Sequence, residues 1–362
     1  MASTGTASEL RTPADLADSL RTADRVRVVG RADGDGLAAA VIYGRALASL
    51  AVPRHLSLSS NRDAAGPPFE TTGVTVTPGL DDQKSSEESA ALAAYETALE
   101  LGTDPDPELA LAGAIAADVE PHGPALDTAR ERGLDTRPGI GIPTPDLRDG
   151  LAYSTRFHAP FSGDPDAVTA FLEDWGLSDP TDDDERRELA SAVALEATAE
   201  APGDRAVSAL ERTLATRGSS GPFETLAGFA DVLNAAARFD PGLGLAALLR
   251  TVDRERLLDA WEQYGTRVHE AVAAMPRTDE STVTATVESV PPVDVARLGH
   301  AFRVSVDRVA VAGQETVALA ATEADASAEL RSAADGPVYG DAALAILDAG
   351  TATQAALAEV ER

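Results

Sequence analysis

Along the first 120 residues the apolar positions fall in short blocks separated by polar or Gly- and Pro-rich breaks. Residues 25–30, ending VRVVG, have the length and β-branched content of a strand. HLSLSS at 55–60 alternates with period two, and VTVTP at 74–78 is a third short strand. Between and around these blocks the spacing changes to three and four. It predicts helices at 12–23, opened by Pro13, at 36–50, at 85–101, closed by Gly102, and at 107–117, where LALAGAIAA is apolar enough to be buried. The stretch NRDAAGPPFETTG is a loop. Strands alternating with helices predict an α/β domain with a mainly parallel sheet.

A Gly- and Pro-rich segment, RPGIGIPTPDLRDGLAYSTRFHAPFSGDPD, closes that domain near residue 165. Residues 166–275 carry helical spacing throughout, and the acidic run DDDE at 182–185 marks a helix start on a solvated face. Trp175 and Trp261 lie on helical patterns and are expected in the core. From 276 onward the character is β-rich, with STVTATVESV, AFRVSV and RVAVAGQETVALAA, followed by a helix at about 341–361. The expected layout is an N-terminal α/β domain (1–165), a helical connector (166–275) and a small C-terminal α+β domain (276–362). No fixed-period repeat is visible.

Composition narrows the function classes. The chain of 362 residues has no cysteine, which excludes disulfides, thiolate zinc sites and a cysteine nucleophile. No apolar stretch is long enough to span a membrane, and the N-terminus lacks a signal-peptide pattern, so a cytoplasmic protein is expected. Aspartate and glutamate number 60 against 30 lysine and arginine, a formal net charge of -30, and Lys84 is the single lysine. Such a surface repels itself at ordinary salt, whereas at molar salt the Debye length falls to about 3 Å. The charge therefore reads as adaptation to a saline cell. It does not bear on the partner. The same salt removes most counterion-release affinity, so nucleic-acid binding would rest on local arginines.

The candidate chemistry sits in GRADGDGLAAA, where Asp33 and Asp35 meet the end of the first strand. A simple strand-to-helix turn explains one aspartate as a cap and leaves the other without a role. A dinucleotide fingerprint fits Gly34, Gly36 and Ala39, yet puts two carboxylates where a pyrophosphate must approach. A site for a hard divalent cation fits both carboxylates at the carboxyl end of a parallel strand. A loop, STRFHAPFSG at 154–163, offers Arg156 and His158 as phosphate contacts or is an ordered connection. His122 is a lone loop histidine near Asp118.

RADGDGLAAAVI resembles the first motif of the DHH phosphoesterase superfamily, which includes the RecJ nucleases; Asp33, Asp35 and Gly36 match it. ESAALAAYETALELG followed by DPELALAGAIAADVE is similar to the family's later helix pair, which ends in a metal-ligating aspartate, here Asp118. FETLAGFADVLNAAARFDPGLGLAALL resembles a segment of archaeal RecJ-like proteins. LRSAADGP resembles the start of the accessory substrate-binding domain, where a strand ends in Leu-Arg-Ser and supplies Arg331. The resemblance implies Mn or Mg held by Asp33, Asp35, Asp82 (or its neighbour Asp81) and Asp118, with Asp33, Asp35 and Asp118 catalytic. It implies substrate contacts from Arg31, Arg156, His158 and Arg331, and a single-stranded nucleic acid or oligonucleotide as substrate.

The sequence departs from that pattern where the metals would bind. Arg31 stands in place of the motif histidine, and a guanidinium cannot ligate a cation. The Asp-His-His motif is missing, with no histidine between His55 and His122. Three aspartates without imidazoles imply at best one weakly held ion. Two function classes follow from the resemblance: a metal-dependent phosphodiesterase or single-strand exonuclease, and an inactive scaffold that binds replication or repair proteins.

Overall fold

The computed structural model describes residues 12–60, 73–80, 88–180, 182–199, 204–214, 216–249, 253–276 and 281–361. Its contacts group the chain into two units, each made of two stretches: 1–135 with 219–258, and 136–218 with 259–362.

The first unit is the α/β layer that the N-terminal alternation predicts. β1 (Arg25–Arg31) lies between β2 (Arg54–Ser59) and β3 (Gly73–Val76), parallel to both, with Val28 opposite Leu56 and Val76. Val26, Val28 and Val29 are buried, as expected of a central parallel strand. The helices are α1 (Pro13–Thr22), α2 (Gly34–Ser49), α3 (Ala90–Glu100), α4 (Pro107–Ala116), α5 (Gly123–Glu131), α10 (Leu226–Phe239) and α11 (Pro241–Leu249). α2 is the hub, packed on α3, α4, α10 and the sheet.

Small residues permit that packing. A Cβ on Gly113 of α4 would lie 2.5 Å from the Ala91 Cβ of α3 and 2.8 Å from the Ala38 Cβ of α2. At the turn from β1 into α2, a Cβ on Gly36 would lie 2.2 Å from the Arg31 carbonyl oxygen, and one on Gly30 would lie 2.4 Å from the Gly36 carbonyl oxygen. The helix therefore starts with backbone against backbone. Gly36→Ala is expected to cost about 3 kcal/mol in a denaturant titration, because its Cβ would meet the Arg31 backbone, at the carbonyl oxygen and the amide nitrogen, and not a side chain that can swing away. A cost near zero would show that the turn is looser than described.

β4 (Asp135–Thr136), where the chain passes into the second unit, pairs with β5 (Arg217–Gly218), and the second unit holds helices α6 (Leu147–Tyr153), α7 (Pro165–Trp175), α8 (Asp183–Thr198) and α9 (Asp204–Leu214). α12 (Arg254–Ala273) begins in the first unit and ends in the second. A five-stranded sheet follows, ordered β6-β7-β8-β10-β9. β6 (Thr282–Thr286) and β7 (Arg308–Ala312) are parallel. β8 (Thr316–Ala321), β10 (Leu344–Asp348) and β9 (Val338–Gly340) continue it antiparallel. α13 (Pro292–Leu298), α14 (Ala326–Ala333) and α15 (Thr353–Val360) pack on this sheet.

Several local expectations are corrected here. The predicted helix at 341–361 is a strand and then a helix: Leu344–Asp348 alternate in burial, a period of two that alanine-rich composition disguised. AFRVSV is no strand: Gly299–Arg303 form a π-helical turn that continues α13. Leu330, Arg331 and Ser332 lie on α14, where Leu330 is fully buried, and do not end a strand. Trp261 is in the core, whereas Trp175, at the end of α7, is 44% exposed. The contact grouping also differs from a linear division at 165 and 275, because α10 packs on α2 and α4. Among the described residues no helix is long and apolar enough to cross a membrane.

Ion pairs on the surface, such as Arg148–Asp166 at 2.7 Å and Arg187–Asp184 at 2.6 Å, join exposed, solvent-screened side chains and contribute little to stability. They leave the net charge of -30 uncompensated. The melting temperature is expected to rise steadily as KCl goes from ~0.1 to ~2 M, as screening shortens the reach of the repulsion. A flat profile would contradict the solvent-adaptation reading.

Candidate functional site

The site forms where β1 ends and α2 begins. Asp33 is the N-cap of α2, and its Oδ1 accepts from Gly36 N at 2.8 Å. Its Oδ2 accepts from Arg31 Nε in an ion pair. The Asp33 charge, and then that of Asp35, push the Arg31 guanidinium up against the opposing effect of burial.

Asp35, two residues on, faces the opposite way. It is 2% exposed, and both its oxygens point at the start of α3. Oδ1 accepts from the Ser89 hydroxyl at 2.7 Å and from Ala91 N at 2.8 Å, and Oδ2 accepts from Ala90 N at 2.7 Å. One carboxylate therefore satisfies the orphan amides of a neighbouring helix, which Ser89 also caps through Leu92 N at 3.2 Å. Burial pushes this carboxyl up, the Asp33 charge adds to that, and the three donated hydrogen bonds oppose it; the net position is above the usual range.

Asn234 of α10 ties this turn to α4. Its Oδ1 accepts from Gly34 N at 2.8 Å, and its Nδ2 donates to the Ala116 carbonyl at 3.2 Å. The end of α4 thus abuts the start of α2. Asp118, two residues further on, is exposed on a left-handed turn with φ 57°. Among the described residues no three His, Asp or Glu side chains are grouped to hold a metal ion. Asp81 and Asp82 lie outside the described residues. The carboxylates at this turn are engaged by protein groups. Each oxygen of Asp33 and Asp35 already accepts from a protein donor, and Arg31 brings a fixed positive charge to the same loop.

The expected substrate residues fall in both units. Arg31 is in the first. Arg156, His158 and Arg331 are in the second. The loop that carries Arg156 and His158 is held inside its unit: Ser154 and Phe157 are fully buried, and the Thr155 carbonyl accepts from Arg297 Nη2 at 2.7 Å. His269 Nε2 lies 3.0 Å from the Ser154 carbonyl, so it donates there and leaves Nδ1 as an acceptor. His158 Nδ1, 3.1 Å away, then donates to it across a stacked pair of rings. Burial holds His158 down to about 4, with Arg303 adding to the effect, and holds His269 down to about 3, with His158 adding. Arg331 donates to Ser327 Oγ at 3.0 Å within α14. The His122 ring is exposed, 2.8 Å from the Glu120 carbonyl.

Sequence reasoning missed Ser89 and Asn234. Ser89 stands directly before the apolar run AALAAYETAL, a cap signal that would have moved the predicted helix start from 85 to 90. Asn234 is the one amide side chain of α10 and is buried one turn after Asp231, which is also buried.

No protein-family model matches the chain. An uncharacterized protein of Haloarcula marismortui, rrnAC1427, is 41% identical over 340 residues, 91% of this chain and 89% of its own. The crystal structure of exonuclease RecJ bound to manganese superposes with a TM-score of 0.50 at 16% identity, covering 100% of this chain and 95% of that one. The crystal structure of CDC45 from Entamoeba histolytica gives 0.50 at 10% identity, covering 97% and 99%. The magnesium complex of RecJ from Thermus thermophilus gives 0.49 at 19% identity, and the chain spans about half its length, 51%. The chain belongs to the family of the Haloarcula protein, and it shares the fold of exonuclease RecJ and of CDC45.

Proposed function

We propose that this protein is a non-catalytic RecJ-like module that serves single-stranded nucleic-acid processing by binding, with replication or repair proteins as its partners. One observation carries the reading: the carboxylates of the first motif are engaged by Arg31, Gly36, Ser89, Ala90 and Ala91, so they act as caps and counter-charges. A two-metal hydrolytic centre needs carboxylates that share ions ~3.5–4 Å apart and a water lowered towards neutral pKa. The shared fold with RecJ and CDC45 supports the broader assignment.

The competing reading is a Mn- or Mg-dependent exonuclease in which Asp33, Asp35 and Asp118 serve catalysis, with Asp82 as a further ligand. It draws on the approach of the α4 terminus to the α2 terminus through Asn234. Degradation of single-stranded DNA with Mn²⁺ in molar KCl separates the two. The expected result is no turnover above an Asp33→Asn control. Metal-dependent turnover that this substitution abolishes would overturn the proposal.

A further inference from the structure

We infer that Arg31 is the resident cation of this site and holds a phosphate-type oxyanion directly, with no metal ion between. The inference deepens the non-catalytic reading and rests on it.

The geometry divides the Arg31 guanidinium into two parts. Nε is committed to Asp33. Among the described residues, Nη1 and Nη2 have no hydrogen-bond or ion-pair partner, and the side chain is 31% exposed. A guanidinium fixed at one nitrogen and open at the other two presents a planar fork, which matches two oxygens of a phosphate in a bidentate contact. Its orientation is preset by the Asp33 pair, so little rotamer entropy is lost on binding. The charge of Arg238, at the end of α10, reaches Arg31, as do the larger opposite charges of Asp33 and Asp35, so the fork, not a net positive field, is what an anion would meet.

The backbone leaves the work to this side chain. Gly34 N is taken by Asn234 and Gly36 N by Asp33. The carboxylates are charged, and neither points an unmatched oxygen at the fork. Asp33 is matched by Arg31, and Asp35 is turned into the interior against three donors. In molar salt the long-range attraction of a cationic patch is screened, so a short, hydrogen-bonded fork is the kind of contact that survives there.

Orthophosphate and the phosphate of a nucleic-acid chain share this chemistry, and the test separates them. The probes are inorganic phosphate, followed by ³¹P line broadening, and a 5′-phosphorylated oligothymidylate, followed by fluorescence anisotropy. Both are run in molar KCl with a chelator present. The expected result is saturable binding of at least one probe that the chelator leaves unchanged. Arg31→Gln should weaken it by about tenfold or more, and the exposed-surface change Arg148→Gln should not. Arg31→Lys, which keeps the charge but not the fork, should recover part of the affinity, and circular dichroism should confirm that each variant is folded. Binding of inorganic phosphate alone assigns the free ion, and binding of the oligonucleotide alone assigns the chain. Equal affinity in wild type and Arg31→Gln, binding that appears only with Mn²⁺, or no binding of either probe would overturn the inference. If turnover is absent and Arg31→Gln has no effect, this inference alone fails. If Mn²⁺ brings both binding and turnover, the non-catalytic reading fails with it.

Discussion

Asp35→Ala is expected to destabilise the protein by at least about 3 kcal/mol, a large share of the stability of an ordinary domain. The carboxylate is buried and accepts three hydrogen bonds from the start of α3, none of which a neighbour can replace without moving the helix. Removing it strands the Ser89 hydroxyl and the amides of Ala90 and Ala91, and each buried donor left unmade costs roughly 1–3 kcal/mol. Asp35→Asn should fall between the two: it keeps one acceptor oxygen and turns an amide NH2 towards a backbone N–H. The measurement is urea unfolding in molar KCl, with the midpoint and slope compared across the three proteins. Two variants within ~0.5 kcal/mol of wild type would mean that Asp35 has no capping role. The pH sense is defined. A carboxyl held above its unfolded value of 3.8 adds most to stability below that pH, and its contribution declines as pH rises through the folded value.

Acidification should act in the opposite direction on the second unit. His158, His269 and His300 are buried, and burial is the first cause of each depression, to about 4, about 3 and about 4 against 6.5. His300 Nε2 lies 2.7 Å from Arg205 Nη1, 3.1 Å from the Thr322 hydroxyl and 3.1 Å from the Asp307 carbonyl, and the Arg205 charge adds to burial in opposing a second proton on the ring. For a group whose folded value is depressed below 6.5, the unfolded chain takes the proton first. The stability is therefore complete above about pH 6.5 and is lost as pH falls towards the folded values of about 3 to 4. By pH 5 each histidine forfeits about 2 kcal/mol, so the three together forfeit about 6 kcal/mol. Unfolding of the second unit is expected between about pH 4 and 5, read by the fluorescence of the buried Trp261. His300→Gln should reduce the loss by about a third. An unchanged signal down to about pH 3.5 would mean that the rings are protonated in place.

Much of the first unit was legible because its signals are local and redundant. The β-branched VRVVG run, the alternation at 55–60 and the small-residue helix after Gly36 each point to one element, and the structure places β1, β2 and α2 there. The second unit was harder to read. Its alanine-rich segments carry weak periodicity, so β10 reads as helix, and the helix bearing Arg331 reads as the end of a strand. In the site, Asp33 and Asp35 were visible as a pair, but their opposite directions were not. Two residues of advance into the helix turn the carboxylate from Arg31, outside, to Ser89, inside, and Ser89 lies 54 positions beyond Asp35 in the chain. That contact belongs to the packing of α2 on α3, which no spacing within a single segment encodes.

The central claim is that protein donors, and no divalent ion, balance the carboxylates at the end of β1. Electron paramagnetic resonance of Mn²⁺ titrated into the wild-type protein in molar KCl tests it most directly. The account predicts a spectrum of free aqueous Mn²⁺ in proportion to the metal added, with no saturable bound fraction. One or two stoichiometrically bound ions per chain, released when Asp33 is changed to asparagine, would contradict it.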